Sequence, residues 1–218
     1  MMDWFPLWIS LKVSVIATCV SFVVALAVAR RVIGMSGISR TVVDGLCTLP
    51  MVLPPSVLGF LLLIIFGRSS PVGQLLARFG IRIIFTWWGA VIAAAVVAFP
   101  LMYRSARVAL ERIDSSIVNA ARTLGLSEWR IFFTILIPLS WPGIAAGLAL
   151  SFARALGEFG ATLMVAGNIP GQTGTIPLAI YFASESGRLG EAGLWVAIIL
   201  AVSFTAMAVM NWTEGRKR

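Results

Sequence analysis

The chain has 218 residues, 59% of them hydrophobic and only 12% charged, with a formal net charge of +8 at pH 7. Soluble globular domains run nearer to about 45–50% apolar and about 25% charged, so a water-soluble fold is excluded. There is no His, and the two cysteines, Cys19 and Cys47, lie in or beside apolar runs, so disulfide frameworks, zinc sites and haem attachment are excluded and no metal or cofactor is expected.

A helix needs about 20 apolar residues to cross a bilayer, so the chain supplies about five spans in a single all-α transmembrane domain, 1–218. The first apolar run, Leu7 to Ala29, follows Met-Met-Asp instead of a basic leader and is expected to be a retained span, closed by Arg30 and Arg31. The second runs from about Leu46 to Phe66, with Pro50, Pro54 and Pro55 near its start. The third runs from Ile83 to Met102, with Trp87 and Trp88 at interfacial depth. The fourth covers about Ile131 to Leu156, and the fifth about Gly193 to Trp212. Between those two lies a less apolar stretch, about 157–192. Its short apolar piece from Thr175 to Phe182 cannot span and suits a re-entrant or surface helix.

Basic residues cluster at the span ends, where they read as topology signals and not as a nucleic-acid surface. Arg30, Arg31 and Arg40 follow the first span; Arg104, Arg107, Arg112, Arg122 and Arg130 follow the third; Arg216, Lys217 and Arg218 follow the fifth. The opposite side receives only Arg68, Arg78, Arg82 and Arg188, while Lys12 and Arg154 lie near or within spans. The positive-inside tendency therefore puts the amino terminus outside and the carboxyl terminus in the cytoplasm.

The cytoplasmic loop between the third and fourth spans, about 104–130, is patterned. Asp114 or Ser115 can cap a helix that ends at Gly125, with Ile117, Ala120, Ala121 and Leu124 at i, i+3, i+4 and i+7. Ser127 can cap a second helix leading through Trp129, Phe132 and Phe133 into the fourth span, bent by Pro138. A short amphipathic helix here suits either a groove on another protein or the lipid headgroup layer.

The spacing goes further than the periodicity. Asn119-Ala120-Ala121, then Gly125, then Ile135-Leu-Ile-Pro138 resembles the EAA loop of binding-protein-dependent ABC importer permeases, with Asn119 in place of the usual Glu and Ile137 in place of the usual Leu. In that family the loop is a coupling helix that docks into a cleft on a separate ATPase subunit. The resemblance thus implies a type I ABC importer permease fold and makes Asn119, Ala120, Ala121, Leu124 and Gly125 the ATPase-coupling residues. Ala155-Leu-Gly-Glu-Phe-Gly-Ala-Thr162, Gly167-Asn-Ile-Pro-Gly171, Thr175-Ile-Pro177, Ala179-Ile-Tyr181 and Leu49-Pro-x-Val-Leu-Pro-Pro55 are similar to the ModB-type molybdate permeases, in a branch that also holds sulfate and tungstate permeases. The resemblance implies a homodimer in the cytoplasmic membrane of a bacterium or archaeon, surrounded by membrane lipid. Its implied partners are a ModC-type cytoplasmic ABC ATPase and a ModA-type external substrate-binding protein.

The residues agree that the chain is not itself the enzyme. It has no Gly-x4-Gly-Lys-Ser/Thr loop, and its only lysines are Lys12 and Lys217, so ATP hydrolysis must belong to a partner or be replaced by an ion gradient. No catalytic residue is assigned, because Ser or Thr nucleophiles have no base. An anion path is best built from amides, hydroxyls and helix ends, which bind a dianion without trapping it. On that ground Pro54, Ser56, Thr162 and Asn168 are expected at the path or gate. Glu158 follows Arg154 at helical spacing and is expected to form a structural pair with it, since a lone carboxylate would repel an oxyanion. Gly143-Ile-Ala-Ala-Gly147 is a small-x3-small pattern that lets helices approach closely. The competitor from another class is an ion-coupled secondary anion transporter, which calls for inverted internal repeats that this sequence does not show.

Overall fold

The structure is a computed structural model that describes residues 3–215, with side chains through residue 208. Among the described residues every regular element is helical. Arg216, Lys217 and Arg218 lie outside the described residues. The elements are α1 (Phe5–Ile33), α2 (Gly37–Val52), α3 (Pro55–Phe66), α4 (Pro71–Arg78), α5 (Trp87–Glu111), α6 (Ser115–Thr123), α7 (Glu128–Ile131), a π-helical turn (Phe132–Leu136), α8 (Ile137–Leu156), α9 (Gly160–Ala166), α10 (Ile176–Glu185) and α11 (Leu189–Gly215). Four continuous helical stretches are long and apolar enough to cross a membrane: α1, α5, the run Glu128–Leu156, and α11. The pair α2 and α3, bent by 112°, is apolar enough when taken together to make a fifth, broken span.

The bend has a local cause. Pro54 and Pro55 remove two consecutive amide donors, and proline disfavours helical geometry at the residue before it. Leu53 and Pro54 accordingly leave the helix with ψ of 139° and 140°. Of the three prolines near the start of this span, Pro50 does not break it: it sits inside α2, and the break falls at Leu53–Pro54. Contacts move along α5 as the chain passes the bend. Asp44 of α2 meets Tyr103 and Arg107, whereas Leu58 and Leu62 of α3 share a cluster with Ala93 and Val97, more than one turn nearer the start of α5.

α5 is the centre of the bundle, and its buried residues are largely small, Ala90, Ala93, Ala94, Ala98 and Ala106 among them. Lipid is as apolar as a leucine side chain, so helices associate in it through close packing and polar bridges. Ser21 of α1 donates to the Ala95 carbonyl at 3.0 Å and Ser151 of α8 to the Ala98 carbonyl at 3.2 Å, each contributing about 1 kcal/mol. Gly143 and Gly147 bring α8 onto α5 so closely that a Cβ on either would lie 2.6 Å from Ala109 Cβ or Ser105 Cβ. The small-x3-small pattern therefore packs α8 on α5. Gly147→Leu should lower stability by about 1–3 kcal/mol or more, read as a reduced unfolding temperature in detergent; an unchanged transition would contradict this packing.

The fourth span starts differently from a simple helix. The π-helical turn at Phe132–Leu136 precedes Pro138, whose ring cannot sit against the carbonyl four residues back, and the wider turn relieves that clash. The stretch 157–192 folds into the bundle. Ala161 and Val165 of α9 are fully buried with α3 and α5, and the Ile176 amide at the start of α10 donates to Ser10 Oγ of α1 at 2.8 Å.

Candidate functional site

Two regions of the fold can carry function: the helix α6, and the broken segments around Pro54 and Gly157. α6 forms where its capping residues put it. Asp114 accepts from the Ser116 amide at 2.8 Å, and Gly125 ends the helix with φ of +78°, a left-handed conformation open to glycine. The hydrogen bond from the Ser116 amide holds the Asp114 carboxyl below its ordinary range. The cap is therefore formed above the ordinary carboxylate pKa and is lost as pH falls through the lowered one. Ser127 caps α7 by accepting from the Arg130 amide at 3.4 Å, and Arg122 returns from α6 to Glu128 at 2.6 Å.

The apolar stripe of α6 is divided. Ala121 is buried against the chain's own bundle at 4% exposure, while Ile117 (44%) and Leu124 (81%) face outward with Asn119, Ala120 and Gly125. α6 thus holds itself down through Ala121 and leaves Ile117, Ala120 and Leu124 for another surface.

At the other region, Pro54 and Ser56 are exposed at the start of α3. Gly160 lies beside them, where a Cβ would come 2.9 Å from Pro55 Cβ, and Gly59 meets α9 so closely that a Cβ would lie 2.9 Å from Met164 Cβ. Thr162 is buried at 1% exposure on α9. Asn168 is exposed in the loop beyond it, where Thr173 Oγ1 donates to the Gly167 carbonyl. The four expected path residues therefore share the α3–α9 neighbourhood without forming one surface.

Arg154 and Glu158 do pair, with Nη1 to Oε2 at 2.9 Å, although the helix ends between them at Leu156. Glu158 Oε2 has this ion-pair contact and no hydrogen bond among the described residues. Glu158 also does what the spacing alone did not suggest: its Oε1 accepts from the Ala161 amide at 2.9 Å and so caps α9. That positive helix end is occupied by the chain's own carboxylate.

A charged cluster escaped the sequence reading altogether. Asp44 accepts from Tyr103 and Arg107, and Arg40 bonds Glu111, the last residue of α5 before the turn into α6. α2 buries no residue of its own, so this cluster is its chief polar tie to α5. The available signal was i, i+4 spacing: Arg40 with Asp44, and Arg107 with Glu111.

Residues 17–216 match the family described as binding-protein-dependent transport system inner membrane component. The chain belongs to that family. It is a multi-pass inner-membrane transport protein. It is 46% identical over 200 residues to the putative molybdenum transport system permease protein YvgM of Bacillus subtilis (strain 168), covering 91% of this chain and 88% of that one. It is 44% identical over 213 residues to the molybdenum transport system permease protein ModB of Escherichia coli (strain K12), covering 96% and 93%. Likeness to the sulfate transport system permease protein CysT of the same strain is 35% over 177 residues, covering 81% and 64%. Among solved structures, a chain of the inward-facing MetNI methionine ABC transporter superposes with a TM-score of 0.77 over 99% of this chain and 97% of that chain, at 17% identity. A chain of a bacterial importer of the acidic polysaccharide alginate gives 0.74 over 97% and 78%, at 15% identity. The fold is that of type I ABC importer permeases.

Proposed function

We infer that this chain is the permease subunit of an ATP-driven ABC importer that carries molybdate across the cytoplasmic membrane. The observation that carries the reading is the 44–46% identity over more than nine-tenths of the chain to molybdenum permeases, against 35% over a shorter stretch to a sulfate permease. That weaker likeness makes sulfate, or the similar dianion tungstate, the second reading.

The working unit is a homodimer with two cytoplasmic ABC ATPase subunits and an external binding protein. The amino terminus lies outside and the carboxyl terminus in the cytoplasm, supported by the basic residues gathered at the α6 end. Asn119, Ala120, Leu124 and Gly125 meet the ATPase, with Ala121 holding α6 to the bundle. Closure of the ATPases moves α6, and α5 transmits the movement through the Arg40–Glu111 and Asp44–Arg107 contacts to the bent pair α2–α3. Pro54 and Ser56 line the path at that bend with Asn168, and Thr162 is reached when α3 and α9 separate. Arg154 and Glu158 fix the geometry of the fourth span's end.

The test is to purify the chain gently from its native membrane and identify what accompanies it. A P-loop ATPase that copurifies supports the importer class. Its absence, together with uptake driven by an ion gradient, would favour a secondary transporter.

A further inference from the structure

Between α1 and the π-helical start of the fourth span lies a groove of about 840 Å³ that the transport reading does not use. Phe22, Leu26, Phe132 and Phe133 wall it, and Arg30 and Arg31 stand at one end. Along α1 the groove runs from Phe22 to Arg31, which at about 1.5 Å per residue is roughly 14 Å. That is close to the half-thickness of a bilayer's hydrocarbon core, about 15 Å. The cationic end is built. The Arg30 guanidinium carbon lies 4.0 Å from the Trp129 ring centroid and 4.7 Å from that of Phe132, cation–π contacts that keep its charge at this end of the groove. Glu128, the acid at the groove, is hydrogen-bonded by Arg122 at 2.6 and 3.2 Å and also feels the charge of Arg30, whereas Arg31 is exposed with no carboxylate partner among the described residues.

We propose that this groove is a binding site for one anionic phospholipid, with an acyl chain between α1 and the π-helical turn and the phosphate on Arg30 and Arg31. An apolar slot of one leaflet's depth that ends in two cations matches that molecule in length and charge; a zwitterionic lipid fits the slot but gains little from the cations. The inference rests on the chain's place in the membrane and is independent of which anion is transported.

Trp129 is the reporter. The importer is reconstituted in vesicles containing either brominated phosphatidylglycerol or brominated phosphatidylcholine, and the Trp129 share of fluorescence is taken as the difference from Trp129→Phe. Quenching of that share should favour phosphatidylglycerol by up to about fivefold per arginine, and the preference should vanish in Arg30→Gln/Arg31→Gln. If the double variant fails to assemble, Arg31→Gln alone, at an exposed position, should lose about fivefold of it. Equal quenching by the two lipids would overturn the site, as would a preference that survives the substitutions. Absence of quenching by both would overturn it too, and would mean that a protein surface covers the groove.

Discussion

Gly125→Trp should reduce ATP-driven uptake by on the order of tenfold or more while the permease still folds and inserts. The two halves of that expectation have separate physical grounds. A Cβ at Gly125 has no atom within 4 Å apart from its own chain neighbours, so the side chain starts out in open space. The internal cost is the left-handed backbone at φ +78°, about 1–2 kcal/mol for an L side chain, small beside a typical stability of about 5–15 kcal/mol. The indole does stand beside Leu124, the exposed apolar residue that closes α6, on the surface assigned to the ATPase. Losing about 1.4 kcal/mol there is a tenfold loss of affinity. Gly125→Asn, which tolerates a left-handed backbone, should keep most activity. Uptake at the wild-type level in the Trp variant, with ATPase still bound, would sink the docking role of α6.

Glu158→Ala should have the other large effect, and on folding more than on transport. It removes the acceptor from the Ala161 amide and leaves Arg154 beside a cavity where its partner was. Breaking a buried pair costs about 3–5 kcal/mol, and because Arg154 keeps 34% of its side-chain surface the expected loss is nearer to about 2–4 kcal/mol. Glu158→Gln keeps an oxygen for the Ala161 amide and should fold with a milder loss. Folded yield and unfolding temperature of the two variants check this. If the Gln variant assembled normally and yet transported a different oxyanion, Glu158 would have to contact the substrate.

Local chemistry was readable from the sequence wherever it acts over a few residues. Asp114 or Ser115, with Gly125 and Ser127, marked the caps of α6 and α7, of which the structure uses Asp114; Arg154 and Glu158 predicted their own pairing, and Gly143 and Gly147 a close helix contact. Apolar run length gave the first, fourth and fifth spans to within a few residues. The second begins its first helix at Gly37 and turns by 112°, and the third runs on as α5 to Glu111, nine residues past Met102 and into what was expected to be loop, because arginines at its end leave the helical hydrogen bonds intact. Hydropathy counts residues and carries no direction, so the angle could not be anticipated. Contacts between distant residues stayed hidden. Asp44 finds Tyr103 and Arg107 only because α2 lies on α5, and Val165 of α9 is buried only because α3 and α5 enclose it. The division of the α6 stripe is of the same kind: periodicity places Ala121 with Ala120, but only the bundle decides that Ala121 is the one covered.

The most direct test of the account is uptake into proteoliposomes that hold the permease with its copurified ATPase, supplied with the binding protein outside and ATP inside. Molybdate should accumulate only with ATP and only with the binding protein present, and sulfate should compete weakly. Accumulation that follows an imposed ion gradient without ATP would contradict the importer mechanism, and ATP-driven uptake of sulfate in preference to molybdate would contradict the substrate.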